Sequence, residues 1–128
     1  MITNTIESLP PFGAAILLPE KVLKSWGYEL IFYNEANYCS KMLVIEPYCK
    51  TSMHYHDIKH ETITVINGIL ELEYIENKKV KKKQLYKNQS IVVPPGFAHR
   101  LCAKDKLVEL VEASTHSVDK DSIRLENY

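Results

Sequence analysis

The amino-acid sequence predicts an all-β fold, a barrel or sandwich built from short antiparallel strands. Short apolar and aromatic runs recur along the chain, and clusters of glycine, proline, asparagine and charged residues separate them. Little of the sequence favours helix. The chain has 128 residues, of which 45% are hydrophobic, so it has the size of one domain and can bury a core without disulfides.

The N-terminal part of the chain reads as a lead-in followed by two strands. The segment Leu9 to Gly13, with two prolines and a glycine, breaks regular structure, and Ala14 to Leu18 is suited to a short strand or turn. Glu20 to Ser25 is compatible with a brief helical turn. The first two clear strands are predicted over residues 28–33 and 41–45.

The central part of the chain contains the strongest turn signal. Asn67-Gly68 separates the apolar runs 62–66 and 69–75, a pattern typical of a β-hairpin. A second turn is predicted over residues 76–79, and the lysines that follow it, up to Lys83, suit a solvated edge strand. Further strands are predicted over residues 90–93, 100–103 and 107–113, and the polar tail from Ser114 to Tyr128 carries no clear pattern.

Charge and cysteine content narrow the functional classes. Sixteen basic and sixteen acidic residues give a net charge of zero, which argues against nucleic acid as the main partner. The three cysteines follow no metal or disulfide spacing, as expected in a reducing cytosol. No run approaches the roughly 20 apolar residues of a membrane helix, and no secretory signal is evident. We therefore expect a cytoplasmic protein without a membrane partner.

Four residues form a candidate metal site. His54 and His56 alternate, so on a strand both rings project from the same face. Glu61 begins the next strand after a polar segment that turns the chain back alongside, and it shares a face with Ile63. His99 follows the rigid Pro94-Pro95-Gly96 corner, which fixes its position.

The donor types narrow the choice of metal. Three imidazoles and one carboxylate suit one divalent ion of zinc, manganese, iron, nickel or cobalt. Calcium and magnesium prefer more oxygen ligands. Because no thiolate belongs to the set, a closed structural zinc site is disfavoured.

The two halves of this set resemble the two motifs of the cupin superfamily. His54-Tyr55-His56, then Glu61 and Gly68, resembles the first motif, and the run from Pro94 to His99 resembles the second. The resemblance implies a single-domain cupin, that is, a jelly-roll barrel or double-stranded β-helix. The sequence departs from the motifs at turn positions, where it has Tyr48, Asn88-Gln89 and Ala103.

A closer resemblance covers residues 24–128. Residues 24–28, 93–101 and 109–112 are similar to the cupin domain of type II mannose-6-phosphate isomerases. In that family His54 falls where glutamine is common, whereas His56, Glu61 and His99 fall on ligand positions. The resemblance implies a cupin domain over residues 24–128 with a lead-in over residues 1–23 that packs on the barrel. It also implies a small carbohydrate substrate.

The leading hypothesis is a metal-dependent enzyme of sugar phosphates or nucleotide sugars, most simply an aldose–ketose isomerase. Glu112, on a strand that should line the barrel, is the candidate general base, because burial would raise its pKa. Candidate cations for a phosphate are Arg100, Lys41 and Lys24. The alternatives are an iron-dependent dioxygenase with the same ligands and a non-catalytic cupin that binds a small ligand.

A homodimer is also expected. Small cupins resemble one another in pairing through sheet edges or N-terminal segments. The apolar stretch Ala14 to Leu18 needs cover, and two-fold pairing is the commonest way to provide it.

Overall fold

A computed structural model describes residues 4–128 as strands joined by turns, with one short 3₁₀ helix, Asp119–Asp121. The strands in chain order are β1 (Thr5–Leu9), β2 (Ala14–Leu17), β3 (Glu20–Lys24), β4 (Gly27–Asn34), β5 (Cys39–Ile45), β6 (His54–His56), β7 (Glu61–Asn67), β8 (Leu70–Glu76), β9 (Lys79–Leu85), β10 (Ser90–Val93), β11 (His99–Ala103), β12 (Val108–Ser114) and β13 (Ser122–Arg124).

Two antiparallel sheets form the body of the protein. One has six strands in the order β10-β7-β12-β5-β4-β3, and the other has five in the order β13-β6-β11-β8-β9. Alternate residues of the facing strands fill the space between the sheets, as expected for a jelly-roll. The core they form contains Leu43, Ile45, Ile63, Val65, Leu70, Leu72, Leu85, Val93, Leu101, Ala103, Val108 and Leu110. The all-β prediction is confirmed.

The predicted hairpin at Asn67-Gly68 is wrong. Strands β7 and β8 flank this dipeptide but lie in different sheets, where β7 pairs with β10 and β12, and β8 pairs with β9 and β11. The dipeptide is a corner at which the chain leaves one sheet for the other. Gly68 has φ +83°, and a Cβ there would lie 2.5 Å from the Leu107 carbonyl oxygen. The glycine thus permits a close crossing of two chain segments.

The predicted turn over residues 76–79 is confirmed as a two-residue hairpin. Asn77 and Lys78 have φ values of 51° and 63°, and Glu76 lies opposite Lys79. Positive φ at both central residues identifies a type I′ turn. Strand β9 follows, and its lysines lie on the outer edge of the five-stranded sheet, as predicted.

Residues 20–25 do not form the helical turn that the sequence favours. Strand β3 occupies this segment and pairs with β4 at the edge of the six-stranded sheet. Backbone pairing with a neighbouring strand overrides the weak local preference of a five-residue segment. The edge of the main sheet therefore begins inside the predicted lead-in, at Glu20.

Strands β1 and β2 form a separate two-stranded hairpin. Every residue of β1 is exposed, and Phe12 at the turn is 92% exposed. The hairpin pairs with neither of the main sheets, so it forms an arm of the lead-in; residues 1–3 of the lead-in lie outside the described residues. Within residues 4–128, no helix has the length and apolar character needed to cross a membrane.

Candidate functional site

The three histidines of the predicted set lie together on the inner face of the five-stranded sheet. His54 and His56 belong to β6, and His99 begins the adjacent strand β11 directly opposite His54. The ring centroids of His54 and His99 are 4.7 Å apart, and those of His54 and His56 are 5.1 Å apart. His56 and His99 are buried.

Glu61 approaches the histidines from the opposite sheet. Glu61 begins β7, which lies in the other sheet, so the segment 57–60 carries the chain across the barrel. The prediction that this segment turns the chain back alongside β6 is therefore wrong. Its carboxylate oxygens Oε1 and Oε2 lie 3.6 Å from His99 Nε2 and 3.8 Å from His56 Nε2. The structure thus brings the four predicted ligands together at one end of the barrel.

Hydrogen bonds orient two of the rings. His54 Nδ1 lies 2.8 Å from the Ser52 carbonyl oxygen, and His99 Nδ1 lies 2.9 Å from the Phe97 carbonyl oxygen. Because a carbonyl can only accept, each Nδ1 donates, and in the neutral form of either ring the lone pair is then on Nε2. This tautomer is the one in which Nε2 can bind a metal ion.

The spacing of the acceptors fits a cation between them. In the neutral form of its ring, His99 accepts at Nε2, as Glu61 does at Oε1, and these two atoms face one another at 3.6 Å. Two ligands at about 2.1 Å from a zinc ion, at a tetrahedral angle, are roughly 3.4 Å apart. In addition, His56 Nδ1 is buried and makes no hydrogen bond within the described chain, whereas Glu61 Oε2 has the Lys59 ammonium as its close partner at 2.8 Å.

The balance of charge inside the barrel also favours a bound cation. Burial lowers the pKa of His54 and of His56 from 6.5 to about 4, with His99 adding to the effect on His54 and the Lys59 ammonium adding to that on His56, so both rings are neutral and available as ligands. The interior carboxylates outnumber the ammonium groups. The carboxylates are Glu29, Glu61, Glu112 and Asp121, and the ammonium groups are Lys41 and Lys59. A divalent cation would balance this excess.

Lys59 is a site residue that the sequence analysis missed. Its side chain is 4% exposed, and its Nζ lies 2.8 Å from Glu61 Oε2 and 3.1 Å from Glu112 Oε2. The contact with Glu112 is a hydrogen bond, whereas the contact with Glu61 is an ion pair without hydrogen-bond alignment. Lys59 therefore links the predicted ligand to the predicted base.

Asp121 fixes the backbone next to Lys59. Its carboxylate accepts hydrogen bonds from the backbone N–H groups of Ile58 and Lys59, both at 2.9 Å. Its Oδ2 also lies 3.8 Å from His56 Nδ1, so it is placed to orient that ring. The sequence analysis missed this residue as well, because it lies in the polar tail.

Glu112 lies inside the barrel, where the sequence predicted it. It is 3% exposed and lies on β12 directly opposite Lys41. Burial and the nearby Glu61 raise its pKa, although Lys41 and Lys59 partly offset them. Burial alone would lower the pKa of Lys59. The carboxylates of Glu112 and Glu61 outweigh the effect of burial, so the pKa of this lysine is raised. Lys59 is therefore a fixed cation beside Glu112.

The three predicted phosphate-binding cations lie in different places. Lys41 is buried in the barrel, and its Nζ lies 3.5 Å from Glu29 Oε1 and 3.8 Å from Glu112 Oε2. Arg100 follows His99 on β11 and projects from the outer face, where it contacts Glu73 and the carbonyl oxygen of Tyr128. Lys24 is exposed on β3, the far edge of the other sheet. Neither Arg100 nor Lys24 is brought to the histidines.

A tighter group of donor atoms lies on the outer face of the five-stranded sheet. The donor atoms of Glu71, Glu73 and Cys102 lie within 4.8 Å of one another, beside a surface pocket of about 480 Å³. However, Arg100 and Lys104 pair with the two carboxylates. Burial and the negative charge of Glu73 raise the pKa of Cys102 to about 12, so its thiol stays protonated and is a poor ligand.

Comparison with known proteins agrees with this fold. The chain superposes on CapF, a capsular polysaccharide assembling protein from Staphylococcus aureus, with a TM-score of 0.73 and 15% identity, over 84% of this chain and 32% of CapF. Oxalate decarboxylase from Bacillus subtilis, another structure of which is described for its Mn(II) centres, gives a TM-score of 0.73 and 15% identity, over 84% of this chain and 30% of the enzyme. The chain spans about a third of the length of each.

No curated protein has a sequence that matches this chain. A family model does match it: the model of the mannose-6-phosphate isomerase C-terminal domain covers residues 15–127. The match includes both sheets and every residue of the candidate site. This protein is therefore a cupin that belongs to the family of mannose-6-phosphate isomerase C-terminal domains.

Proposed function

We propose that this protein is a cytoplasmic, metal-dependent isomerase that interconverts an aldose phosphate and a ketose phosphate. The observation that carries the proposal is the position of Glu112. This second carboxylate is buried beside the four-residue ligand set and is held there by Lys59. An isomerase needs such a group, because a carboxylate that binds the metal cannot also serve as the base.

His54, His56, Glu61 and His99 would hold one divalent ion, and their donor types, three imidazoles and a carboxylate, suit zinc, manganese, iron, nickel or cobalt. When bound, such an ion supplies positive charge that stabilises negative charge on substrate oxygens. The tautomers fixed by Ser52 and Phe97 keep two of the rings in the orientation needed for binding.

Glu112 would move the proton. Isomerisation removes a proton from the carbon next to the carbonyl and returns it to the neighbouring carbon. The raised pKa of Glu112 suits a base that must accept and then release a proton near neutral pH. Lys59 and Lys41 both approach Glu112 Oε2, at 3.1 Å and 3.8 Å, which leaves Oε1 as the oxygen available for the proton.

The comparisons support carbohydrate chemistry in general terms. The family is named for mannose-6-phosphate isomerase, and CapF is described as a capsular polysaccharide assembling protein. Oxalate decarboxylase shows that the same fold also hosts a different reaction.

Activity and proton exchange test the proposal together. Metal-loaded protein is incubated in deuterated water with a panel of hexose and pentose phosphates, including mannose 6-phosphate and fructose 6-phosphate. We expect interconversion with deuterium on the carbon next to the carbonyl. Glu112→Gln should lower the rate by roughly 10²–10⁴-fold with metal content unchanged, the usual effect of losing a general base.

Glu109→Gln is the matched control, because Glu109 lies on the same strand β12 but projects from the outer face. It should leave the rate unchanged. If no sugar phosphate exchanges a proton, the isomerase proposal fails. Oxygen consumption by the iron-loaded protein would then favour the dioxygenase, and silence in both assays would favour a small-ligand binder.

Metal binding is tested separately by elemental analysis. We expect about one metal ion per chain in protein purified without a chelator or a histidine tag. His56→Ala and His99→Ala should lose most of the metal, because each removes one ligand of four. His60→Ala should retain it, since this side chain is exposed. Metal far below one per chain, unrestored by added ions, would contradict the site.

We also propose that the protein is a homodimer. The arm formed by β1 and β2 exposes Ile6, Phe12 and Ile16, and it pairs with neither of the main sheets. An isolated two-stranded hairpin is marginally stable in water. A second copy of the chain would provide the missing apolar cover.

A further inference from the structure

Arg124 lies in the same row of residues as two of the predicted metal ligands. Strand β13 pairs with β6 so that Arg124 is directly opposite His54, and His54 is directly opposite His99. Directly opposed residues of antiparallel strands point to the same face of a sheet. Because the rings of His54 and His99 meet on the inner face, Arg124 belongs to that face too.

The row leads from the interior of the barrel to the solvent. His99 is buried, His54 is half-buried and Arg124, on the edge strand, is exposed. Neighbouring strands are about 4.8 Å apart, so the base of the Arg124 side chain is one strand away from His54. The Arg124 side chain therefore starts at the rim of the candidate site, on the face that carries the histidines.

Arg124 differs from Arg100, Lys41 and Lys59 in that its side chain has no partner within the described residues. Within residues 4–128, its guanidinium makes no ion pair or hydrogen bond, although its backbone pairs with β6. Arg100, the other arginine of the chain, binds Glu73 and the carbonyl oxygen of Tyr128 on the outer face. Lys41 and Lys59 are buried and paired with carboxylates. An unpaired guanidinium can form two parallel hydrogen bonds with a phosphate.

We propose that Arg124 binds the phosphate group of the substrate, an inference that rests on the proposed function. In an aldose or ketose phosphate, the reacting carbons and the phosphate lie at opposite ends of the molecule. With the reacting carbons between the ligand set and Glu112, the phosphate extends toward the rim. Arg124 meets it there, and it takes the role for which the sequence suggested Arg100, Lys41 and Lys24.

The experiment uses inorganic phosphate as the probe and Mn²⁺-loaded full-length protein. Calorimetry at low ionic strength gives the dissociation constant, and broadening of the phosphorus NMR signal by Mn²⁺ reports that the phosphate lies near the ion. We expect Arg124→Gln to weaken phosphate binding at least tenfold and to reduce the broadening. Arg124→Lys should retain part of the affinity, because lysine keeps the positive charge but cannot form two parallel hydrogen bonds with the phosphate.

Lys24→Gln is the control, since it removes an exposed cation from the far edge of the other sheet. It should bind phosphate as the wild type does. Manganese content and the urea unfolding curve should be the same in all variants, because Arg124 is exposed and unpaired. The inference is overturned if Arg124→Gln binds phosphate as tightly as the wild type, if Lys24→Gln weakens it equally, or if the wild type binds none.

The inference and the proposed function can fail separately. If no sugar phosphate is isomerised but phosphate binding depends on Arg124, the isomerase proposal fails and the assignment of Arg124 stands. If a sugar phosphate is isomerised and Arg124→Gln leaves its KM unchanged, the assignment fails and the isomerase stands.

Discussion

A single buried lysine joins the two acidic side chains on which the proposed chemistry depends. In the sequence, Lys59 stands in a polar segment between two strands, where a lysine is normally solvated. Its burial depends on Glu112, which is 53 positions away, and on Asp121, which is 62 positions away. No local pattern contains this information. The four predicted ligands, by contrast, occur in two local motifs that the structure brings together.

The neutral histidines predict how the metal-free protein responds to acid. The pKa values of His54 and His56 fall from 6.5 to about 4 on folding, so the unfolded chain binds more protons than the folded one between these values. These two rings therefore make stability rise with pH in this window and fall on acidification, and the raised pKa of Glu112 opposes them in part. We expect the free energy of unfolding, measured in urea, to decrease steadily from pH 6.5 to pH 4.

Removing one of the two rings should weaken the dependence of the free energy of unfolding on pH. His54→Gln eliminates one of the titrating groups, whereas His116→Gln removes an exposed ring from the tail. The first variant should show a smaller slope between pH 4 and pH 6.5, and the second should follow the wild type. A stability that is constant over this range would contradict neutral, buried histidines in the metal-free protein.

The positions of the strands were easier to predict from the sequence than the pairing between strands. The runs at residues 28–33, 41–45, 62–66, 90–93 and 100–103 all lie within observed strands, and the run 69–75 lies within β8 except for its first residue, because apolar, β-branched and aromatic residues mark strands locally. Pairing is a property of distant segments, so the Asn67-Gly68 corner was mistaken for a hairpin. Strand β13 has only three residues and is defined by its pairing with β6, which explains why the tail seemed to have no pattern.

The corner at Gly68 predicts a larger stability loss on substitution by alanine than the same change at Gly96, another glycine with positive φ. Gly68 and Gly96 have φ values of +83° and +85°, so alanine at either position carries a similar backbone cost of about 1 kcal/mol. Of these two positions, only Gly68 would bring the added Cβ against backbone, 2.5 Å from the Leu107 carbonyl oxygen. Gly68→Ala should therefore cost roughly 1–3 kcal/mol more than Gly96→Ala, the usual range for overpacking.

Urea unfolding of the metal-free variants measures this difference. Gly96 serves as the matched control, because nothing lies within 4 Å of the position that its Cβ would take. Equal losses for the two variants would show that the corner can relax away from Leu107. The crossing between the sheets would then not need glycine at position 68.

At the scale of the whole molecule, the exposed arm predicts the oligomeric state. Light scattering at micromolar concentration should give twice the 14.8 kDa of one chain. Phe12→Ser should shift the protein toward the monomer, because Phe12 is 92% exposed on the arm. Ile58→Ser changes a side chain that is 78% exposed elsewhere, and it should leave the dimer intact. A monomeric wild-type protein would contradict the proposal.

The ligand set is divided between the two layers of the barrel. His54, His56 and His99 belong to one sheet, and Glu61 belongs to the other. In the proposed holoprotein the ion is thus a cross-link between layers that otherwise meet through apolar packing and the buried ion pairs. Free metal then contributes to folding by mass action. In a cell depleted of the ion, this protein would lose folding stability as well as activity.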